Sequence, residues 1–357
     1  MPAFCHGEQR IRIHGLVAPE VLDGMRTAMG WIRHWWYEPS KQLVKIEADI
    51  DRDFGMATRS RRTAMFFSGG IDSLAALRTN RLMFSKDHPW YIRDGLIVFG
   101  LETDQEDSFQ HVLEAVAGPS EDAGLTLIPI YTNARFLDAD WMFWEKKSQD
   151  SIFASISYAL TKRISDVVFA STYDIPSMQP AGTHPLLDLA YSSSQLTIHH
   201  DNISISRLEK VKLIAEWEMA FQNIRTCNQS QSYESGRLNC GQCIKCIRTM
   251  LELEALGLLE RNHAFPQRRL TPKLVAPVIE IYKTTVDFFR ELINPLRDRN
   301  RHDLADIIQE KIDEYQSLKQ WKDLKFSLKA IAKRYDHKYL NGNIYKFRKI
   351  LQPAPSR

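Results

Sequence analysis

From Thr63 to about Ala220 the chain alternates short apolar runs with longer amphipathic ones. The apolar runs are TAMFF, GLIVFGLE, LTLIPIYTN, DVVFAST and QLTIHH. Between them lie SLAALRTNRLMF, EDSFQHVLEAVAG, SQDSIFASISYALTKRI and, last, SRLEKVKLIAEWEMA, each with apolar residues at helical spacing. A strand that is apolar on both faces needs cover on both faces. Strands of this kind separated by helices therefore predict an α/β layer structure around a mainly parallel sheet. Ligands of such sheets sit beyond the carboxyl ends of the strands. The segment SGGIDS, Ser68 to Ser73, follows the first of these strands, at that end.

The flanks have a different texture. Residues 1–60 predict a small α+β extension, with strands in QRIRIHGL and KQLVKIEADI around a helix in PEVLDGMRTAMGWIRHWWY. Trp31, Trp35 and Trp36 read as packing residues of that helix, since no alternation of basic and aromatic residues surrounds them. Residues 61–262 form the α/β domain, and residues 263–357 a helical, basic C-terminal domain. There, helices are expected over TPKLVAPVIEIYKTTVDFFREL, DLADIIQEKIDEYQSL and KDLKFSLKAIAKRY, the first opened by a Thr271 cap and Pro272. The basic residues from Lys319 to Lys349, interleaved with aromatics, read as a solvated helical face and leave a polyanionic partner open.

A net charge of +3 does not by itself argue for nucleic acid or a membrane surface. No apolar run approaches the roughly 20 residues that span a bilayer. The first residues, MPAFCHGEQRIRIHG, lack the apolar core of a secretory signal, so a cytoplasmic protein without membrane partners is expected.

The turn Ser68-Gly69-Gly70-Ile71-Asp72-Ser73 has the composition of an anion cradle. A glycine-rich strand-to-helix turn presents backbone N–H groups, and the helix dipole adds positive potential. Gly69 and Gly70 allow close approach, and Ser68 and Ser73 can donate hydroxyls to phosphate oxygens. Asp72 would repel a phosphate unless a cation such as Mg²⁺ lay between them. A plain turn, with Asp72 as a first-turn helix acid, is the bland reading. The turn is not a Walker A loop, because Gly-Lys-Ser/Thr is missing.

Four of the five cysteines, Cys227, Cys240, Cys243 and Cys246, crowd into one segment while Cys5 stands alone. The spacing Cys-x₁₂-Cys-x₂-Cys-x₂-Cys suits a tetrahedral structural Zn²⁺; an iron–sulfur cluster also takes four cysteines. Ser206 to Glu209 has the pattern of a capping box and marks a helix start.

Taken together, SGGIDS after a strand resembles the signature of the PP-loop ATP pyrophosphatases. These cleave ATP between its α and β phosphates, activate an oxygen of the substrate as an adenylate and release pyrophosphate. The resemblance implies a Rossmann-like, adenine nucleotide alpha-hydrolase-like fold over roughly residues 62–260. It implies ATP and Mg²⁺ held by Ser68, Gly69, Gly70, Ile71, Asp72 and Ser73, with Asp72 and Ser73 catalytic. CGQCIKCIR is similar to the zinc knuckle of 7-cyano-7-deazaguanine synthase, which favours Zn²⁺ over iron and a small deazapurine-type substrate. In SISRLEKVKLIAEW, Arg207 stands where that family carries a lysine near phosphate; an exposed first-turn residue is its bland reading. The implied activity is a C–N bond-forming ligase in which an amine or ammonia displaces AMP.

The resemblance weakens in STYDIPSMQPAGTHPLLDLAYSSSQL, where Asp174, His184 and Asp188 are candidate substrate contacts or structural loop residues. Asp104 reads as part of a solvated acidic loop, and Lys162 and Arg163 as residues favoured by a helix dipole. Two further readings keep the fold and change the role: modification of tRNA or another macromolecule, reached through the C-terminal helices, and a nucleotide-binding subunit of a multiprotein system such as anti-phage defence. A homo-oligomer is the expected assembly.

Overall fold

The computed structural model describes residues 1–51, 61–101, 105–227 and 238–339, with side chains up to Trp321. A two-stranded parallel pair comes first: β1 (Arg10–Val17) and β2 (Lys45–Ile50), joined through helix α1 (Pro19–Trp36). Then β3 (Thr63–Phe66) leads through α2 (Ile71–Met83) to β4 (Ile92–Phe99), and α3 (Glu106–Asp122) leads to β5 (Thr126–Tyr131). Helix α4 (Gln149–Ala159) precedes β6 (Asp166–Ala170). A loop with one short helix, Pro185–Asp188, carries the chain to β7 (Thr197–Asp201). Helices α5 (Arg207–Ala215), α6 (Ile244–Leu256) and α7 (His302–Tyr339) complete the labelled elements.

The five strands β3 to β7 form one sheet in the order β5-β4-β3-β6-β7, and every pairing is parallel. The first of these strands is thus central, and the chain grows outward from it in two directions. Such an order opens a crevice between the carboxyl ends of β3 and β6. The expected α/β architecture with a parallel sheet is borne out.

Alternation along the strands divides the core. Met65 and Val168 face a layer built from α2, α3, α5, α6 and the start of α7, including Leu74, Phe109, Ile214 and Ile308. Ala64, Val167 and Phe169 face α1 and α4, with Met29, Ile32 and Ala154. The central strand is so closely covered that Thr63, Ala64 and Met65 are at most 1% exposed. Trp31 and Trp35 pack at the edge of the second layer, as expected of core residues, while Trp36 lies on the exposed side of α1.

Several predicted helices have different limits. The run from Thr271 to Leu292 is not one helix but short pieces, Pro272–Val275 and Val286–Arg290. Pro277 lacks an N–H and its ring clashes with a preceding carbonyl, which ends the first piece despite the apolar spacing. The helix opened by Ser206 is interrupted at Glu216 and Trp217 before a short piece, Glu218–Gln222. The two tail segments instead merge into α7, which runs unbroken over 38 residues. No helix among the described residues is long and apolar enough to cross a membrane.

Candidate active site and metal centre

Gly70 caps α2, whose first amides have no carbonyl partner within the helix. Gly69 has φ +72°, a conformation that disfavours side chains, and a Cβ there would lie 2.7 Å from Val116 Cγ1. Ser68 Oγ accepts from Gly70 N at 3.3 Å, Ser73 Oγ donates to Gly70 O at 3.1 Å, and the two hydroxyl oxygens lie 3.4 Å apart. Ile71 is buried and anchors the start of the helix in the core. From the other side Arg225 clamps the turn: its N–H donates to Gly69 O at 3.0 Å and Nη1 to Ser68 O at 3.4 Å.

The turn borders a cavity of about 240 Å³ at the crevice between β3 and β6. Ser68, Asp72, Ser73, Thr172 and Arg225 supply much of its polar wall. Phe66 and Phe153, stacked at 4.3 Å, and Phe169 supply part of its apolar wall. An apolar recess beside a few convergent polar groups is the usual form of a small-molecule site.

Asp72 meets a buried charge cluster. Arg207 Nη1 and Lys210 Nζ lie 3.7 and 3.6 Å from its Oδ1, an oxygen that makes no hydrogen bond. Arg207, expected either as a phosphate contact or as an exposed residue, is 4% exposed, and its Nε donates to the fully buried Glu252 at 2.7 Å. The predicted capping box is present: Ser206 Oγ accepts from Glu209 N, and Glu209 accepts from Ser206 N. It fixes the first turn of α5, so Arg207 and Lys210, three residues apart, share one face. Lys210 is fully buried and donates to Ser171 O at 2.6 Å, tying α5 to the end of β6. Burial lowers its pKa, and the Asp72 carboxylate opposes that shift. Arg248 Nε lies 3.8 Å from Glu252, and burial lowers the Arg248 guanidinium to about 10.

The short helix Val286–Arg290 covers this cluster. The Phe288 ring stacks on Tyr173 at 5.6 Å, with Arg207 and Arg248 against it at 5.8 and 5.2 Å. Glu291 accepts from Leu208 N at 3.0 Å, and burial raises its carboxyl to about 7. Removing the central carboxylate should cost most here. Glu252→Gln removes the carboxylate paired with the buried Arg248 and leaves Arg207 with Asp72, and should destabilise the fold by about 3 kcal/mol or more. Urea unfolding measures this, and an unchanged midpoint would contradict the ion cluster.

The four expected metal ligands converge. The Sγ atoms of Cys227, Cys240, Cys243 and Cys246 all lie within 4.8 Å of one another. Cys227 Sγ lies 3.5 Å from those of Cys240 and Cys243, and Cys240 Sγ 3.8 Å from that of Cys246. A tetrahedron with Zn–S bonds of about 2.3 Å has edges of roughly 3.8 Å, so the four sulfurs fit a metal such as zinc. Gly241, at φ +70°, turns the knuckle, and Cys240 Sγ accepts from Gln242 N and Cys243 N at 3.3 and 3.2 Å. Those N–H bonds hold the Cys240 sulfur in place toward the other three.

The remaining predicted residues are dispersed. Asp174 lies on the loop after β6, accepts from Ser177 N at 3.2 Å and adds negative potential at Lys210. His184 and Asp188 belong to a buried polar group on the α1 side of the sheet, and neither lines the cavity beside Asp72. His184 Nδ1 accepts from Leu186 N at 3.1 Å and its ring meets Trp35 at 4.9 Å. Asp188 pairs with His200 Nδ1 at 2.5 Å. Arg163 does more than face a helix dipole: it holds the buried Asp94 through two bonds of 2.9 and 3.0 Å. Asp104 lies outside the described residues, as do the tail's basic side chains from Lys322 onward.

Lys210, Arg225, Arg248, Glu252 and Phe288 were not among the expected site residues. The i, i+3 relation of Lys210 to Arg207 and the place of Arg248 and Glu252 on the helix of Cys246 are signals that could have found three of them. Arg225 and Phe288 reach the site through tertiary packing and carry no such signal. No family model, curated protein or solved structure compared with the chain matches it.

Proposed function

We propose that the chain is an ATP-dependent adenylating enzyme of the PP-loop ATP pyrophosphatase type on a Rossmann-like fold. The observation that carries this reading is the glycine turn itself: it opens α2 at the carboxyl end of the central strand, with Asp72 Oδ1 free of hydrogen bonds. In this reading the α2 amides, Ser68 and Ser73 bind the β and γ phosphates of ATP, and the aromatic wall of the cavity takes its base. Arg207 and Lys210 balance the phosphate charge. The orphaned Asp72 oxygen suits a hard cation, and Mg²⁺ there would neutralise charge on the departing pyrophosphate.

A substrate carboxylate oxygen attacks the α-phosphorus, the bond to the bridging oxygen of the β-phosphate breaks, and pyrophosphate leaves. An amine or ammonia then attacks the activated carbonyl carbon, expels AMP and loses a proton, which forms the C–N bond. Preorganised donors act here on charge that develops in the transition state. Zinc at the four cysteines would be structural, because four thiolates leave no open coordination position.

Incubating the pure chain with ATP, Mg²⁺, an ammonium salt and a deazaguanine carboxylic acid should yield AMP and pyrophosphate in equal amounts. Formation of ADP and phosphate would overturn this reading.

A further inference from the structure

The amino-terminal edge of the sheet, opposite the glycine turn, holds a second charged cluster that the proposed reaction does not use. Arg61 and Arg62 precede β3, Arg93 and Asp94 lie at the start of β4, and Arg163 and Asp166 flank the start of β6. In a parallel sheet these positions share one edge. Asp94 and Asp166 are fully buried. Asp94 accepts two bonds from Arg62, both 2.6 Å, and two from Arg163. Arg61 holds Asp166 in the same side-on manner, through Nε at 3.2 Å and through Nη2. Each such pair uses Nε and one terminal nitrogen, leaving the other terminal nitrogen outside the pair. Arg93 bonds to the backbone carbonyls of Lys86, His88 and Tyr91 instead.

Arg61, Arg62, Arg93 and Arg163, with Asp87 and Pro89, line a cleft of about 480 Å³. The side chains of Arg61, Arg62 and Arg163 are 48%, 33% and 46% exposed, so the pairs beneath leave them open to a ligand. Three guanidiniums thus stand over two buried carboxylates, and Arg93 and Asp87 add one charge of each sign at the lining. Their forks are already fixed, so a phosphate meets donors that have lost most of their side-chain freedom. Beside them, Trp90 is 43% exposed, and its ring lies 5.3 Å from that of His199, which contacts Asp166. Fixed arginines next to an exposed indole combine the two elements that hold single strands: backbone charge neutralisation and a stacking platform.

We propose that this cleft binds single-stranded nucleic acid, with phosphodiesters on the four arginines and a base against Trp90. Asp94 on β4 and Asp166 on β6 flank β3, so the arginines they hold are spread across the strand starts, which suits a strand passing through rather than one enclosed phosphate. The site lies at the far end of the sheet from Asp72 and stands whether or not the adenylation reading holds.

The test is fluorescence anisotropy of a labelled single-stranded RNA of about 12 nucleotides on the full chain, over a salt series. The wild type should bind with a marked salt dependence. The double variant Arg93→Gln, Arg163→Gln keeps Arg62 on Asp94; it should bind about 10-fold more weakly, with a salt slope smaller by roughly one to two phosphate contacts. Trp90→Ala should weaken binding at unchanged salt slope and serves alone if the double variant fails to fold. Absence of binding by the wild type, or wild-type affinity in both variants, overturns the proposal. So does complete displacement of the strand by inorganic pyrophosphate at constant ionic strength, which would assign a compact anion site.

Discussion

Asp72→Asn should lower pyrophosphate release by about 10²- to 10³-fold, the size of effect seen when one preorganised charge-stabilising group is lost. The amide keeps the shape of the side chain and a carbonyl oxygen, so the change isolates the charge. Asp72 is the carboxylate that lines the cavity, facing Arg207 and Lys210 at 3.7 and 3.6 Å. Its loss leaves Arg207 with Glu252 and Lys210 with the carbonyl of Ser171. ATP binding should therefore persist or tighten while turnover falls, a split between KM and kcat that structural damage would not produce. Thermal unfolding reports the structural part of the change separately: the exchange takes a carboxylate at 3.6 Å from the fully buried Lys210, so the variant should melt below the wild type yet remain folded at assay temperature. Undiminished pyrophosphate release at saturating Mg²⁺ would remove Asp72 from the mechanism.

The parallel sheet and the glycine turn were legible because each rests on local pattern. Apolar runs such as DVVFA have few ways to be buried, and a Gly-Gly pair between strand and helix has few conformations. The cysteine spacing was equally direct, since four ligands within one segment leave little to tertiary context. Pattern failed where distant packing decides. Arg225 clamps Gly69 from a segment more than 150 residues away, and Phe288 reaches Arg207 and Arg248 from beyond a proline-broken stretch. His184 shows the converse: the residue type suggests chemistry, yet its Nδ1 caps a single helical turn and its ring packs on Trp35. A polar residue in a long loop says nothing of which face of the sheet the loop will cover.

Cys243→Ser should abolish stoichiometric zinc binding and lower the melting temperature by about 10 °C or more. A structural zinc contributes folding free energy outright, and a loss of several kcal/mol moves the midpoint of a chain this size by a few degrees per kcal/mol. The effect should also reach the glycine turn. Cys227 lies two residues beyond Arg225, whose N–H and guanidinium hold Gly69 and Ser68. Cys246 sits in the first turn of α6, and the same helix carries Arg248 and Glu252 into the charge cluster. Releasing one thiolate therefore loosens both the clamp and the helix that anchor the site. A chelator applied to the wild type should reproduce the shift. Cys5→Ser should not, because Cys5 packs in the separate layer on the α1 side of the sheet. Metal content by elemental analysis decides the assignment: a Cys243→Ser chain that retains full zinc would show that the ion sits elsewhere, and a chelator-induced loss of activity without loss of stability would make it catalytic rather than structural.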